Sequence, residues 1–144
     1  DAELADLILS TYEGSLDCPG LVGLRTMEDV IAAHKSGTRF RPSCWWILQR
    51  NGQAVGCVLL NDAASAACME VSYLGVVPAF RGLGLGRRLL ARAAEAARHL
   101  NQSALTLACD RRNTPATRLY DAAGFCETAL RNVYILTGSE ALNR

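Results

Sequence analysis

Apolar residues follow two different periods along this chain, and each switch between them marks a new element. In AELADLILSTY (residues 2–12), Leu4, Ile8 and Tyr12 recur at helical spacing and predict a first helix. EGSLDCPGLVGLR (13–25) breaks that period with Gly and Pro and predicts a loop. Thr26, with Asp29 three residues on, suits an N-cap for the helix MEDVIAAHK, which Gly37 would stop. From Cys44 the pattern becomes that of strands. CWWILQR and QAVGCVLL are joined by Asn51-Gly52, a pair suited to a type I′ hairpin turn. Trp45 and Trp46 are adjacent on one strand and therefore point to opposite faces. NDAASA predicts a polar loop, and CMEVSYLGVV a third strand that Pro78 stops.

Helical spacing returns from about Leu83 to His99. Leu85, Leu89, Ala93, Ala96 and Leu100 make an apolar stripe, and Arg88, Arg92, Glu95 and His99 a solvated one. SALTLACD (103–110) predicts a short strand. Pro115–Ala123 predicts a helix with Thr114 as its cap and Gly124 just past its end. FCETALR and NVYILT predict a final strand pair. The order α-α-β-β-β-α-β-α-β-β describes one α/β (α+β) domain over residues 1–144, with a mixed sheet and several antiparallel steps.

Composition narrows the chemistry. A chain of 144 residues, 50% apolar and 20% charged, is long enough for one core and is not a disordered tract. A net charge of +1 gives no electrostatic case for nucleic acid or a membrane surface, so any basic site is local. Cys18, Cys44, Cys57, Cys68, Cys109 and Cys126 include no C-x-x-C pair and have only His34 and His99 to accompany them, which argues against a metal site. Most of the six lie in apolar runs, as reduced, buried thiols of a cytoplasmic protein do. No signal peptide is visible, and no apolar run approaches the roughly 20 residues of a membrane span. The first residue is Asp1, which is consistent with a processed or excised fragment.

The densest candidate chemistry is RGLGLGRRLL (81–90), which leaves a strand and opens a helix. A helix start presents unpaired N–H groups and partial positive charge, an anion site that Arg81, Arg87 and Arg88 would reinforce. Gly82, Gly84 and Gly86 would let backbone amides approach a phosphate. The simpler reading is a glycine-rich strand-to-helix turn. G-x-G-x-x-G fails because Leu89 replaces its third glycine, and no Gly-Lys-Ser/Thr of a P-loop occurs, so a nucleotide-binding domain is disfavoured.

Two motifs in order settle the reading. VVPAFRGLGLGRRLL holds R-x-x-G-x-G at Arg81, Gly84 and Gly86. NTPATRLYDAAGF holds N-x-x-A-x-x-L-Y-x-x-x-G-F from Asn113 to Phe125. Together they resemble the GNAT superfamily of acyl-CoA-dependent N-acetyltransferases, over roughly residues 44–136. The resemblance implies the GNAT fold, a mostly antiparallel central sheet with helices on both faces. It also implies acetyl-CoA as cosubstrate and an amine acceptor.

On that resemblance the pyrophosphate lies on the amides around Arg81–Arg87, with Gly82, Gly84 and Gly86 giving access. The pantetheine arm pairs with the exposed edge of a splayed strand at Leu74, Gly75, Val76 and Val77, where Gly75 suits a bulge. Asn113 and Ala116 fall in the coenzyme-binding motif, Asn113 either contacting the coenzyme or capping the helix. Tyr120 stands where the family places the tyrosine that protonates the coenzyme sulfur, against the alternative of a core tyrosine. Glu70 stands where several members carry a catalytic base, against the alternative of a structural carboxylate. An N–H near Val76 would polarise the thioester carbonyl. Cys109 reads as a core thiol rather than a nucleophile. Glu13, Asp17, Glu70 and Asp110 are candidates for attracting the amine.

The family opens with a strand where residues 1–12 read as helix. That strand is missing, trimmed away or supplied by something else, either a second GNAT-like half or a partner subunit, as in a homodimer. The implied function is acetyl transfer from acetyl-CoA to a primary amine of a small molecule or a protein N-terminus. The alternative is a non-catalytic acyl-CoA-binding module.

Overall fold

The computed structural model describes residues 2–36, 39–65 and 67–134. The elements are α1 (Ala2–Tyr12), α2 (Met27–Ser36), β1 (Trp45–Arg50), β2 (Gln53–Asp62), β3 (Cys68–Val76), α3 (Leu85–His99), β4 (Ala104–Leu107) and α4 (Thr114–Ala122). The strands form one sheet in the order β1-β2-β3-β4. The first three are antiparallel, and β3 runs parallel to β4. Asn51 and Gly52 both have positive φ (51° and 76°), as the predicted I′ hairpin turn between β1 and β2 requires.

Strand β2 is the middle of the sandwich. Val55 through Asn61 are buried without alternation, because helices cover both faces of the sheet. On one face α3 lays Leu89, Leu90, Ala93, Ala96 and Ala97 against Val58, Leu60, Met69 and Val71. On the other, Leu4, Leu7 and Ile8 of α1 and Ile31 of α2 cover Cys57 and Leu59. Each fully buried leucine contributes roughly 1.5–3 kcal/mol. The two tryptophans divide as their adjacency predicts. Trp46 packs on the α3 side, beneath the Arg92 guanidinium, and Trp45 on the α1 side, edge-on to Phe40.

Four predicted features differ from the structure. First, β2 extends two residues into the predicted polar loop, because Asn61 is 1% exposed and fully bonded. Its Oδ1 accepts from Trp45 Nε1 (2.9 Å) and the Arg41 amide (3.4 Å), and its Nδ2 donates to the His34 carbonyl (2.9 Å) and Ser72 Oγ (3.2 Å). Second, the cap of α4 is Asn113 rather than Thr114, with its Oδ1 accepting the Ala116 amide at 3.3 Å. Gly124 closes this helix at φ 88°, as predicted.

Third, the strand bulge lies at Ser72, not Gly75. Leu59 pairs with Tyr73 and Leu60 with Val71, which leaves Ser72 as the extra residue, whereas Gly75 pairs regularly with Cys57. Fourth, residues 125–134 form no strand, and the rest of NVYILT lies outside the described residues. Leu130, Val133 and Tyr134 are 61, 69 and 89% exposed, so no buried face holds FCETALR and the start of NVYILT in a register.

Candidate active site

The bulge and the short partner strand together open the sheet. β3 pairs with β4 only over Cys68–Val71 against Ala104–Leu107, and the two strands then part. The Val77 amide donates to the Val55 carbonyl (3.0 Å), on the β2 side. By alternation, the backbone groups of Leu74 and Val76 point the other way, into the gap beyond β4. The Ser72 bulge also reverses which side chains face α3. Met69 and Val71 do so before it, Leu74 and Val76 after it, and Tyr73 turns to the α1 side.

Gly75 sits at this edge for want of space. A Cβ there would come within 2.7 Å of Thr11 Oγ1 and 2.9 Å of both Tyr73 Cε1 and its hydroxyl. Thr11 is buried and donates its hydroxyl to the Ile8 carbonyl (2.7 Å), so Tyr73 donates to Thr11 Oγ1. Burial holds the Tyr73 phenol well above its ordinary range. Thr11 and Tyr73 carry no motif signal, and the glycine two residues after Tyr73 is the only sequence trace of their contact.

The three glycines after Arg81 serve two different needs. Gly82 and Gly84 have φ of 76° and 75°, and nothing lies within 4 Å of where a Cβ would stand, so they make the turn and leave it open. Gly86 lies inside α3, where a Cβ would meet Leu119 Cδ2 of α4 at 3.2 Å, so it allows the two helices to approach. Gly84 is the N-cap of α3, and the amides of the first turn lack helical partners at the mouth of the gap. Arg87 and Arg88 are exposed on that turn. Arg88 also lines a 410 Å³ cavity with Leu48, Gln49, Arg50, Val55, Leu83 and Leu85, which neither Glu70 nor Tyr120 borders.

Arg81 is engaged elsewhere. Its guanidinium donates to three carbonyls, those of Val76 (3.1 Å), Gly14 (3.3 Å) and Thr11 (2.9 Å). Asn113 and the Ala116 amide are paired with each other in the α4 cap.

Glu70 and Tyr120 approach from opposite sides of the sheet. Glu70 lies on the last paired stretch of β3, opposite Asn61 and Thr106 and on the face that Asn61 shares with α2. Tyr120 comes from α4 onto the α3 side, its ring 5.9 Å from that of Phe125. Burial pushes its phenol up to about 12, with Cys109 and Asp17 adding to the shift, so the hydroxyl keeps its proton at neutral pH.

Two of the acidic candidates, Asp17 and Asp110, come together. Asp17 Oδ1 accepts the Asp110 amide at 2.8 Å, which ties the loop after α1 to the end of β4. The Asp110 carboxylate is bound by the Arg112 side chain and amide, which hold it well below the ordinary range. Burial raises the Cys109 thiol to about 11, with Asp17 and Asp110 adding to it, and a thiol protonated at neutral pH is a poor nucleophile.

The chain is similar to known proteins. The family model described as the Acetyltransferase (GNAT) family matches residues 8–125. A mycothiol acetyltransferase from Beutenbergia cavernae is 32% identical over 115 residues, covering 78% of this chain and 38% of that protein. An N-acetylaspartate synthetase from Danio rerio is 32% identical over 124 residues, covering 85% of this chain and 42% of that protein. The crystal structure of a putative streptothricin acetyltransferase from Bacillus anthracis, in complex with acetyl coenzyme A, superposes with a TM-score of 0.53 at 25% identity. It covers 56% of this chain and 45% of that one. The chain thus spans about two fifths of the length of the curated relatives it matches. No described helix is long and apolar enough to cross a membrane. A splayed β3, a glycine turn onto α3 and a tyrosine on α4 follow one another in the matched region, and the chain belongs to the GNAT acetyltransferase family.

Proposed function

We propose that this chain transfers the acetyl group of acetyl-CoA directly to a primary amine, of a small molecule or a protein N-terminus, in the gap between β3 and β4. The observation that carries this reading is the parting of β3 from β4 after Val71, which leaves Leu74 and Val76 facing a gap that ends at the glycine turn and the start of α3. The solved neighbour with acetyl coenzyme A supports the choice of donor. Glu70 takes the proton of the attacking amine, whose nitrogen bonds to the acetyl carbon. The Val76 amide, facing the gap, stabilises charge on the carbonyl oxygen. The carbon–sulfur bond breaks, and Tyr120 gives its proton to the leaving thiolate. A phenol held at about 12 is protonated when that step needs it. The six cysteines are unpaired, which supports a reducing, cytoplasmic setting.

The test is release of free thiol from acetyl-CoA across a panel of amines. Tyr120→Phe is expected to lower kcat about a hundredfold or more while leaving the affinity for acetyl-CoA nearly unchanged. Stabilisation by coenzyme A with no turnover on any amine would replace the enzyme with an acyl-CoA-binding module. Unchanged turnover in Tyr120→Phe would remove Tyr120 from the mechanism.

A further inference from the structure

We infer that Arg81 is a positioning residue, which joins the acyl-donor edge of β3 to the C-terminal end of α1, and not a ligand of the coenzyme pyrophosphate. The inference rests on the acetyltransferase reading for its kinetic consequence, while its structural consequence is independent of that reading.

One guanidinium spans two segments of the chain. Nε holds the carbonyl of Val76, the last residue of β3, whose own amide faces the gap. Nη2 and Nη1 hold the carbonyls of Thr11 and Gly14, at the end of α1 and the start of the loop over residues 13–25. Carbonyls in the last turn of a helix lack helical donors and carry partial negative charge, so a cation there is favoured. On the same strand, the Thr11–Tyr73 hydroxyl pair ties the α1 side of β3 to α1, two residues before the tightly enclosed Gly75. Thr11 therefore takes part in both links, through its side chain to Tyr73 and through its carbonyl to Arg81. The planar fork of arginine spreads its donors over three nitrogens, whereas the three N–H donors of lysine share one nitrogen and lack that span. Pyrophosphate is left to the open turn at Gly82 and Gly84, the first-turn amides of α3, and Arg87 with Arg88.

Two measurements test this on the full chain. Amide hydrogen exchange in Arg81→Lys and Arg81→Gln, without ligand, should quicken at least about tenfold over the last turn of α1 and at Ser15, whose amide is bonded to the Tyr12 carbonyl. Exchange in α3 should stay as in the unmodified chain, which also shows that the variants fold. Unaltered exchange around residues 9–15 would overturn the clamp. The kinetic measurement compares acetyl-CoA with acetyl-pantetheine, which lacks the pyrophosphate, on one amine. Both variants should lose kcat/KM by about the same factor on both donors, tenfold or more, as when one charge-assisted hydrogen bond is removed. A loss confined to acetyl-CoA, or full recovery by lysine, would make Arg81 a phosphate ligand. If the unmodified chain turns over neither donor, the acetyltransferase reading fails, and the exchange result still decides the clamp.

Discussion

Gly75→Ala is the sharpest single test of how the β3 edge is built. The added Cβ would stand 2.7 Å from Thr11 Oγ1, 2.9 Å from Tyr73 Cε1 and 2.9 Å from the Tyr73 hydroxyl, all closer than real Cβ contacts come. Neither neighbour retreats easily: Thr11 is 3% exposed and bonded to the Ile8 carbonyl, and Tyr73 packs in the α1-side core. Overpacking of this kind costs about 1–3 kcal/mol. Breaking the Thr11–Tyr73 bond leaves a buried hydroxyl unpaired for roughly another 1–3 kcal/mol. A total of about 2–6 kcal/mol lowers Tm by roughly 6–18 °C in a domain of this size.

The assay is urea or thermal unfolding of Gly75→Ala, Thr11→Ala and the double variant. Thr11→Ala removes the nearest clashing atom, so the double variant should be more stable than the sum of the two losses by about 0.5–3 kcal/mol. Gly84→Ala supplies the contrast. Its φ is 75° but its surroundings are empty, so it should cost only about 1–2 kcal/mol, with no coupling to Thr11. A Gly75→Ala loss below about 0.5 kcal/mol, or the absence of coupling to Thr11, would refute the space-filling account.

Two other expectations concern stability. Asn113→Ala should cost about 1 kcal/mol through loss of the α4 cap, while Thr114→Ala, one residue on, should cost less; the reverse order in chemical denaturation would restore Thr114 as the cap. His34 is half-buried against Tyr73, and desolvation, with Arg25 adding to it, lowers its pKa from 6.5. Its neutral form is thus favoured in the fold, and the stability this gives is present above pH 6.5 and lost as pH falls through the lowered folded value. His34→Gln should flatten that acid limb of the pH–stability profile, and an unchanged limb would show that another group titrates there.

Local signals were legible because their physics is local. The spacing of Leu4, Ile8 and Tyr12 specifies α1, Asn51-Gly52 specifies the hairpin, and Gly124 ends α4, since each depends on residues within a turn or two. The stripe from Leu85 to Ala96 and the split of Trp45 from Trp46 were equally readable, because a side chain's face follows from backbone period. The motifs from Arg81 to Phe125 carried the family, which the match over residues 8–125 bears out.

What sequence left undecided depends on distant partners. Asn61 looks like a loop residue until Trp45, Arg41, His34 and Ser72 satisfy all its polar groups inside the sheet. A bulge is a property of two strands, so register alone could place it at Ser72 rather than at the glycine. Gly75 and Gly86 look alike on paper with Gly82 and Gly84. The first pair is small because Thr11, Tyr73 and Leu119 crowd it, the second because the chain turns through positive φ. Arg81 shows the difference most plainly. Its sequence neighbours suggest a phosphate cation, whereas in the fold its guanidinium donates to the carbonyls of Thr11 and Gly14, some 70 residues earlier in the chain. Charge and period are written in the order of residues, but the competition for a donor is decided only when folding brings the acceptors together.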